Sequence, residues 1–573
     1  MNKIYFLLLT IILLASILRL TMLNNIPVAI SYDQLYYILN AKSFLYTGAD
    51  LSGSINPLQL LIFQYATDGL TQAELPFFLQ FPLLSFLPMS LQTIVLPNAI
   101  LSILTVGILF LIGAKLFDKR TALFISFVAA INPWFVFIGR TFYEVVPATL
   151  FYLCGFYVLL IAKGWKILFA FPLFLLAFYA YIGTKLIFFP FILLAVLYCY
   201  FAVNKKHFTK QYLVLVLLAL LTTLFFAFQL QQQPDSSRLS EIILPNHPAI
   251  AEQVDTLRKI SIDNPLTSLV TNKITIYLQI ISLNFINVFN PTYLFAQGDM
   301  FFSLYRHGLF YLIDAVFLIA GGLFLFVQKR KLFVFVILSI ILSTLPQIIH
   351  DPEAGGNFTP HIALLFPFFI ILIGFGISKI TEIKNKIIKS GLLILIGVVY
   401  LLSFINFLNI YFYQFPLQNG IFDYSSRVLA RYIALAEKNQ QKIIIHSASS
   451  ELAFKKYLFY SNTYTKTSAE SINKSLTEKN MTVNKVTFLS CPETVDTTNK
   501  TDVIIVDAIC GKTISQNFNS VAQLNDSGKT YNIINDAVCA KYRLQPFISQ
   551  LALEHFNPES LDEKTFCEKL IIH

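Results

Sequence analysis

Runs of uncharged, apolar residues long enough to cross a bilayer recur through the first 412 positions of this 573-residue chain. A helix needs about 17 to 25 such residues to cross roughly 30 Å of hydrocarbon. Eleven runs meet or approach that length: about 4–22, 93–115, 121–138, 145–162, 167–181, 186–202, 211–230, 308–327, 332–349, 362–378 and 391–412, of which the fifth is short. Composition agrees. Hydrophobic residues make up 56% of the chain and charged residues 13%, against about 45–50% and about 25% in soluble domains. So little charge cannot clothe a water-exposed surface, which excludes a soluble enzyme, a disordered chain and a disulfide-only scaffold for most of the length. The net charge of +10 does not point to nucleic acid, because the basic residues are scattered between apolar runs rather than gathered on one face.

Those basic residues instead predict topology, since cytoplasmic turns retain lysine and arginine. The first run follows Lys3 and ends in Thr21-Met22-Leu23-Asn24-Asn25 without a small-residue cleavage site, so it reads as an anchor. With the N-terminus inside, the inner turns hold Lys115, Lys119, Arg120, Lys163, Lys166, Lys205, Lys206, Lys210, Lys329, Arg330, Lys331, Lys379, Lys384, Lys386 and Lys389. The short outer turns hold only Arg140 and Lys185. Eleven spans then place the C-terminus outside. The expectation is a multi-pass plasma-membrane protein with a membrane domain over 1–412, outer loops at 23–92 and 231–307, and an extracytoplasmic domain over 413–573. The first loop is rich in Phe, Leu and Pro, as in Glu74-Leu75-Pro76-Phe77-Phe78, and predicts interfacial helices.

The tail changes character. Lys442-Ile443-Ile444-Ile445-His446 and Asp502-Val503-Ile504-Ile505-Val506 read as buried strands, and 450–460 as a helix between strands, which together predict a small α/β domain. Cys154 and Cys199 lie in apolar runs and read as packing residues. Cys491, Cys510, Cys539 and Cys567 form an even set that suits an oxidising compartment, with three pairings open and no metal-site spacing. The Asn-x-Ser/Thr triplets at Asn357, Asn473, Asn480, Asn499 and Asn525 are short enough to recur by chance. No internal repeat and no Gly-rich nucleotide loop is visible.

Ionisable groups beside a membrane need a reason, and the outer ends of the runs offer a short set. Asp33 follows the first run in Ser31-Tyr32-Asp33-Gln34; its ordinary reading is the cap of a helix over 34–47. Arg140 and Glu144 share a turn and are spaced to pair across one helical turn. Lys185, in Tyr181-Ile182-Gly183-Thr184-Lys185, has the position of a snorkelling lysine. Arg306 and His307 precede the eighth run. His350, Asp351, Glu353 and His361 fill a later turn and read as solvated, their spacing being too loose for a metal site. Asp314 alone reads as a mid-span acid that faces a neighbour or lines a cavity. Taken one at a time, these residues have structural explanations.

Taken together, they resemble the polyprenyl-phosphate-sugar-dependent transferases of the GT-C membrane fold, and in particular the protein O-mannosyltransferase-like branch, glycosyltransferase family 39. The resemblance runs through most of the membrane part. Asp33-Gln34, then Ala41, then Thr47-Gly48-Ala49-Asp50 are similar to the family's acidic motif, alanine-containing helix and Thr-Gly turn. Ile131-Asn132-Pro133-Trp134 with Gly139-Arg140 and Glu144 resembles its Pro-Trp, Arg and Glu positions. Ala180 to Lys185 with Pro190 resembles its next outer turn, and Phe289-Asn290-Pro291-Thr292-Tyr293-Leu294-Phe295 with Gly298-Asp299 a loop of its bacterial members. Two departures stand out: Gln34 replaces the usual second acid, and Leu96-Pro97 stands where many relatives carry an arginine.

The resemblance implies transfer of a sugar, a hexose with mannose among the candidates, from a polyprenyl phosphate in the bilayer to a hydroxyl on the outer face. Asp33 would be the general base. Arg140, then Lys185, Arg306 and His361, would meet the donor phosphate, and Glu144 or Gln34 would orient Arg140 or bind the acceptor. Direct displacement predicts inversion. Neither a nucleotide nor an obligatory metal is expected; the partners are the bilayer, the lipid-linked donor and a protein, glycan or lipid acceptor. Two rivals stay open: a transporter or flippase for a lipid-linked glycan, which would commonly show related halves, and an inactive scaffold with a partner-binding tail.

Overall fold

The computed structural model describes residues 3–51, 53, 64–65, 71–72, 75–203, 210–232, 247–262, 264–350, 357–418, 422–439, 442–492, 501–510, 518–522, 529–548 and 550–573. Helices dominate the first three quarters: α1 (Lys3–Leu20), α2 (Tyr32–Thr47), α3 (Leu75–Phe86), α4 (Leu91–Leu116), α5 (Lys119–Ile131), α6 (Pro133–Ile138), α7 (Val145–Ile161), α8 (Ala170–Ala180), α9 (Phe188–Tyr198) and α10 (Lys210–Gln232). They continue with α11 (His247–Lys259), α12 (Lys273–Val288), α13 (Leu312–Gln328), α14 (Arg330–Ser343), α15 (Leu365–Ile380) and α16 (Lys386–Asn409). Each expected apolar run coincides with a helix or a pair of helices. The third is broken because Asn132 accepts the Phe135 N–H at 3.0 Å, capping a new helix whose first residue is Pro133.

Five helices among the described residues are long and apolar enough to cross a membrane: Lys3–Leu20, Leu91–Leu116, Lys210–Phe228, Arg330–Ile348 and Lys386–Leu417. The other apolar helices run only 10–17 residues. Lipid is the solvent that the outer helices require: on α16, Ile394, Leu395 and Leu402 are 67%, 58% and 63% exposed. Inside the bundle, backbones approach closely where glycine allows it. A Cβ on Gly321 of α13 would lie 2.0 Å from the Leu372 carbonyl oxygen of α15, and one on Gly376 2.4 Å from that of Phe317.

The basic turns meet at one end of this bundle. Lys119 donates to the Tyr5 hydroxyl at 3.0 Å, Lys329 to the Leu116 carbonyl at 2.6 Å and Lys331 to the Phe201 carbonyl at 2.8 Å. Lys205 and Lys206 lie outside the described residues.

The tail holds α17 (Tyr424–Lys438), α18 (Ser450–Ser461), α19 (Ala469–Thr477) and α20 (Glu563–Leu570) around a seven-stranded sheet. A two-residue hairpin, β1 (Gln64–Tyr65) and β2 (Thr71–Gln72), precedes it in the chain. The sheet strands are β3 (Ile443–His446), β4 (Thr482–Val483), β5 (Val486–Leu489), β6 (Val503–Asp507), β7 (Asn519–Ala522), β8 (Lys529–Ile534) and β9 (Ile571–Ile572), in spatial order β4-β5-β3-β6-β8-β7-β9. β3 runs parallel to β5 and β6, and the flanking pairs are antiparallel. β3 and β6 are apolar on both faces, as central parallel strands must be. Of the three possible cysteine pairings the structure holds Cys491–Cys510 and Cys539–Cys567.

Candidate functional site

Asp33 and Gln34 lie in the first turn of α2, and Glu144 meets that helix through Tyr37. Ser31, in extended conformation, precedes the helix, and its N–H donates to Gln34 Oε1 at 3.1 Å. The cap position is therefore Ser31, with Gln34 reaching back to its N–H, and Asp33, expected as the cap, lies inside the first turn and half-buried. Gln34 thus performs a helix-end task. Gly48 ends α2 at φ +73°, a left-handed position, with its N–H on the Phe44 carbonyl.

Tyr37 lies one turn beyond Asp33, on the same helix face, and its hydroxyl donates to the Glu144 carboxylate. Glu144 does not take Arg140, contrary to the i,i+4 expectation. Arg140 is wholly buried, and its guanidinium donates to the Leu18 carbonyl at 2.8 Å, the Ile26 carbonyl at 3.0 Å and the Tyr411 hydroxyl at 3.1 Å. It joins α1, the segment before α2 and the end of α16. Three of its five N–H donors are thus engaged with protein acceptors, so Arg140 ties these segments together. Asn98 performs a similar task on the next residues: its amide donates to the Thr141 and Tyr143 carbonyls at 3.0 and 2.8 Å.

A belt of rings runs from this turn across the outer end. Tyr37 meets Phe142 edge-on at 5.8 Å. Tyr143 meets Phe302 at 5.4 Å, Phe302 meets Phe358 at 6.0 Å, and Phe358 meets His361 at 5.1 Å. His361 then packs 4.9 Å from His350 and 6.4 Å from Tyr181. The Gln347 carboxamide fixes this end, with its oxygen 3.2 Å from both His361 Nδ1 and the Phe358 N–H. Lys185 is 3% exposed, and its ammonium lies 5.1–5.6 Å from the ring centres of Phe178, Tyr179 and Phe226. Such a cage favours a cation while limiting its hydration. It is not a snorkelling lysine.

Asp299 closes the belt from the loop after α12. It accepts hydrogen bonds from Thr359 Oγ1 and from the Phe302 N–H, the latter at 2.6 Å. Burial pushes its carboxyl up to about 6 despite those donors. Burial also holds the His307 imidazole down to about 4, so it is neutral at physiological pH. Arg306 is exposed and donates to Gln414 at 3.1 Å, away from the belt's contacts. Asp314, read as mid-span, instead sits in the first turn of α13, accepting the Tyr311 N–H at 2.9 Å and the Tyr400 hydroxyl. Asp351 and Glu353 lie outside the described residues, and among those described no group of three His, Cys, Asp or Glu is placed to hold a metal.

The tail grips the approach to Asp33. Arg427 of α17 donates to the Asn24 and Val28 carbonyls at 2.9 Å and pairs with Glu559 at 2.7 Å. Tyr460 of α18 accepts the Ile30 N–H at 2.8 Å, and Lys455 donates to the Tyr36 hydroxyl at 2.9 Å. The segment 24–30 is thus held from one side by Arg140 and from the other by Arg427. The sequence reading missed Tyr37, Asn98, Arg427 and Arg19. Arg19, buried in α1, donates to Ser102 at 2.7 Å and to the Ala130 carbonyl at 3.0 Å. A charged residue near the end of an apolar run was the available signal for Arg19, and the four-residue step from Asp33 the one for Tyr37.

No family model matches this chain, and no curated protein matches it. Among solved structures it is similar to the Archaeoglobus fulgidus oligosaccharyltransferase in its apo form, at 11% identity over 93% of this chain and 74% of that one, TM-score 0.48. The Archaeoglobus fulgidus oligosaccharyltransferase AglB in complex with an inhibitory peptide and a dolichol-phosphate aligns at 13% identity over 94% and 74%, TM-score 0.46. ArnT from Cupriavidus metallidurans bound to undecaprenyl phosphate aligns at 10% identity over 92% and 98%, TM-score 0.46.

Proposed function

We propose that this chain is a membrane glycosyltransferase that moves a sugar from a polyprenyl phosphate carrier to a hydroxyl acceptor at the outer face of the plasma membrane. The observation that carries this reading is the series of ring contacts that leads from Tyr37, bonded to Glu144 and one turn beyond Asp33, through Phe142, Tyr143, Phe302 and Phe358 to His361, which meets His350 and, through Tyr181, the turn that holds Lys185. Eleven crossings, an N-terminus inside and the tail outside belong to the same proposal; breaks such as Asn132-Pro133 let paired short helices share a crossing.

In the reaction the acceptor oxygen attacks the anomeric carbon, the bond from that carbon to the phosphate oxygen breaks, and the electron pair leaves with the carrier phosphate. Asp33 takes the acceptor proton. A positioned carboxylate contributes about 10²- to 10⁴-fold in this role. Direct displacement inverts the anomeric centre. Glu144 orients the acceptor side through Tyr37, and Gln34 fixes the start of α2. Developing charge on the leaving phosphate is met by Lys185, which the ring cage keeps partly dry and therefore strong, with His350 and His361 as hydrogen-bond partners on the same belt. Arg306 meets the phosphate only if the donor extends toward Gln414. Arg140 is a positioning residue. A hexose, mannose included, and a protein, glycan or lipid acceptor all satisfy this chemistry, and a lipid phosphate leaving group needs neither nucleotide nor metal.

The test is release of free polyprenyl phosphate from a panel of polyprenyl-phosphate sugars by purified protein in lipid, with cell-envelope extract as acceptor. Release with at least one donor, dependent on extract, is expected. Folded protein that binds a donor and releases nothing would move the reading to a transporter or scaffold.

A further inference from the structure

The tail contains a cavity of about 400 Å³ that the transfer chemistry does not use. It opens at the carboxyl ends of β3 and β6, which are adjacent and parallel. From β3 the chain passes through α18 and α19 to β4 and β5 on one side, whereas β7 and β8, which follow β6, lie on the other. Neighbouring parallel strands with departures to opposite sides leave a crevice beyond their ends, where ligands bind in open α/β sheets. Asp423, Ser447, Ser449, Lys456, Asp507 and Tyr531 line it. The Cys491–Cys510 disulfide ties the chain just after β6 to the chain just after β5, and so fixes one rim.

The charges select the ligand. Lys456 pairs with Asp423 at 2.5 Å. Burial alone would raise the Asp423 carboxyl, but Lys456 and the Ser426 donors hold it below the usual range, so it is ionised. Asp507 adds a second negative charge. Its Oδ2 accepts from the Ser447 hydroxyl at 3.0 Å and its Oδ1 from the Ile509 N–H at 3.0 Å. A carboxylate has about four acceptor positions, so roughly two remain for a ligand's hydroxyl donors. An excess of carboxylate disfavours a phosphate or sulfate, even at the start of α18. With Asp423 taken by Lys456, Asp507 is a single carboxylate, too few ligands for a metal ion. A neutral, hydroxyl-rich group is favoured, and about 400 Å³ lies at the small end of the roughly 300–1,000 Å³ of ligand pockets.

We infer that the crevice between β3 and β6 is a binding site for a neutral sugar unit of one or two rings, with Asp507 as its principal hydrogen-bond acceptor. The inference stands on the tail's own geometry and does not depend on the transfer reaction. It is tested by saturation-transfer NMR on the full chain in lipid nanodiscs prepared without glycoside detergents. The probes are glucose, galactose, mannose and N-acetylglucosamine, with methyl phosphate and choline as charged controls. At least one sugar is expected to bind, Asp507→Asn to weaken it tenfold or more, and Asp33→Asn to leave it unchanged. Ser447→Ala, which removes one neighbour of Asp507 and leaves the carboxylate, is expected to weaken binding less and guards against an unfolded variant. Binding of methyl phosphate or choline alone, no sugar binding, or sugar binding equal in wild type and Asp507→Asn would overturn the assignment. So would a sugar signal lost in Asp33→Asn.

Discussion

Arg140→Gln separates two roles that the same residue could have. In the structure its guanidinium satisfies the Leu18 and Ile26 carbonyls and the Tyr411 hydroxyl, all three bonds buried. Glutamine is shorter and brings two amide N–H donors to three acceptors, so at least one of them loses its partner. Each buried acceptor left unpaired costs about 1–3 kcal/mol. The variant is expected to lose at least about 1–3 kcal/mol, or roughly fivefold or more in the ratio of folded to unfolded protein at about 1.4 kcal/mol per tenfold. The assay is paired: thermal unfolding of wild type and variant in the same lipid, and donor binding measured at a temperature where both are folded. A large fall in the unfolding midpoint with donor affinity changed less than about threefold is the expected result. Unchanged stability with donor affinity lost would refute the clamp and make Arg140 a phosphate ligand.

Three further outcomes follow from the same contacts. Asp299, pushed up to about 6 from its ordinary 3.8, favours the protonated form in the fold, which by linkage contributes about 3 kcal/mol. That stability is complete below about pH 4 and is lost as pH rises through about 6, so hydrogen exchange over 292–310 should quicken between those values in wild type and stay level in Asp299→Asn. Asp423 has the opposite sign: its depressed value in the fold stabilises the tail above the unfolded value of about 3.9 and is lost as pH falls through the lower folded value. Exchange in β3 should therefore rise below about pH 4 less steeply in Asp423→Asn than in wild type. Arg427→Met leaves the Asn24 and Val28 carbonyls without that partner and should cost about 1–3 kcal/mol for each, read as a lower thermal unfolding midpoint in the same lipid.

Helix positions were legible because hydrocarbon thickness imposes length and apolarity on them, and the strands at 443–446 and 503–507 because buried parallel strands read as isoleucine and valine runs. The outer residues were legible as a set, since charge is rare beside lipid. Their individual tasks were not. Arg140 and Lys185 both read in sequence as contacts for a donor phosphate, yet one meets carbonyls from elements more than a hundred residues away and the other a cage built by α8 and α10. Asp314 looked mid-span because an apolar run hides where its helix begins; Tyr311, by preceding that helix, puts the acid in its first turn. Gln34 read as a lost acid, whereas the local step from Ser31 makes it half of a cap. Tertiary partners decide these roles, and spacing within one element carries no record of them.

The central claim is that Asp33 removes the acceptor proton. The most direct measurement is the initial rate of polyprenyl phosphate release by Asp33→Asn relative to wild type, with donor binding measured on the same samples. The account predicts release slower by about 10²- to 10⁴-fold with donor affinity unchanged, because asparagine keeps the shape of the side chain and loses only the base. Equal rates of release by the two forms would contradict it.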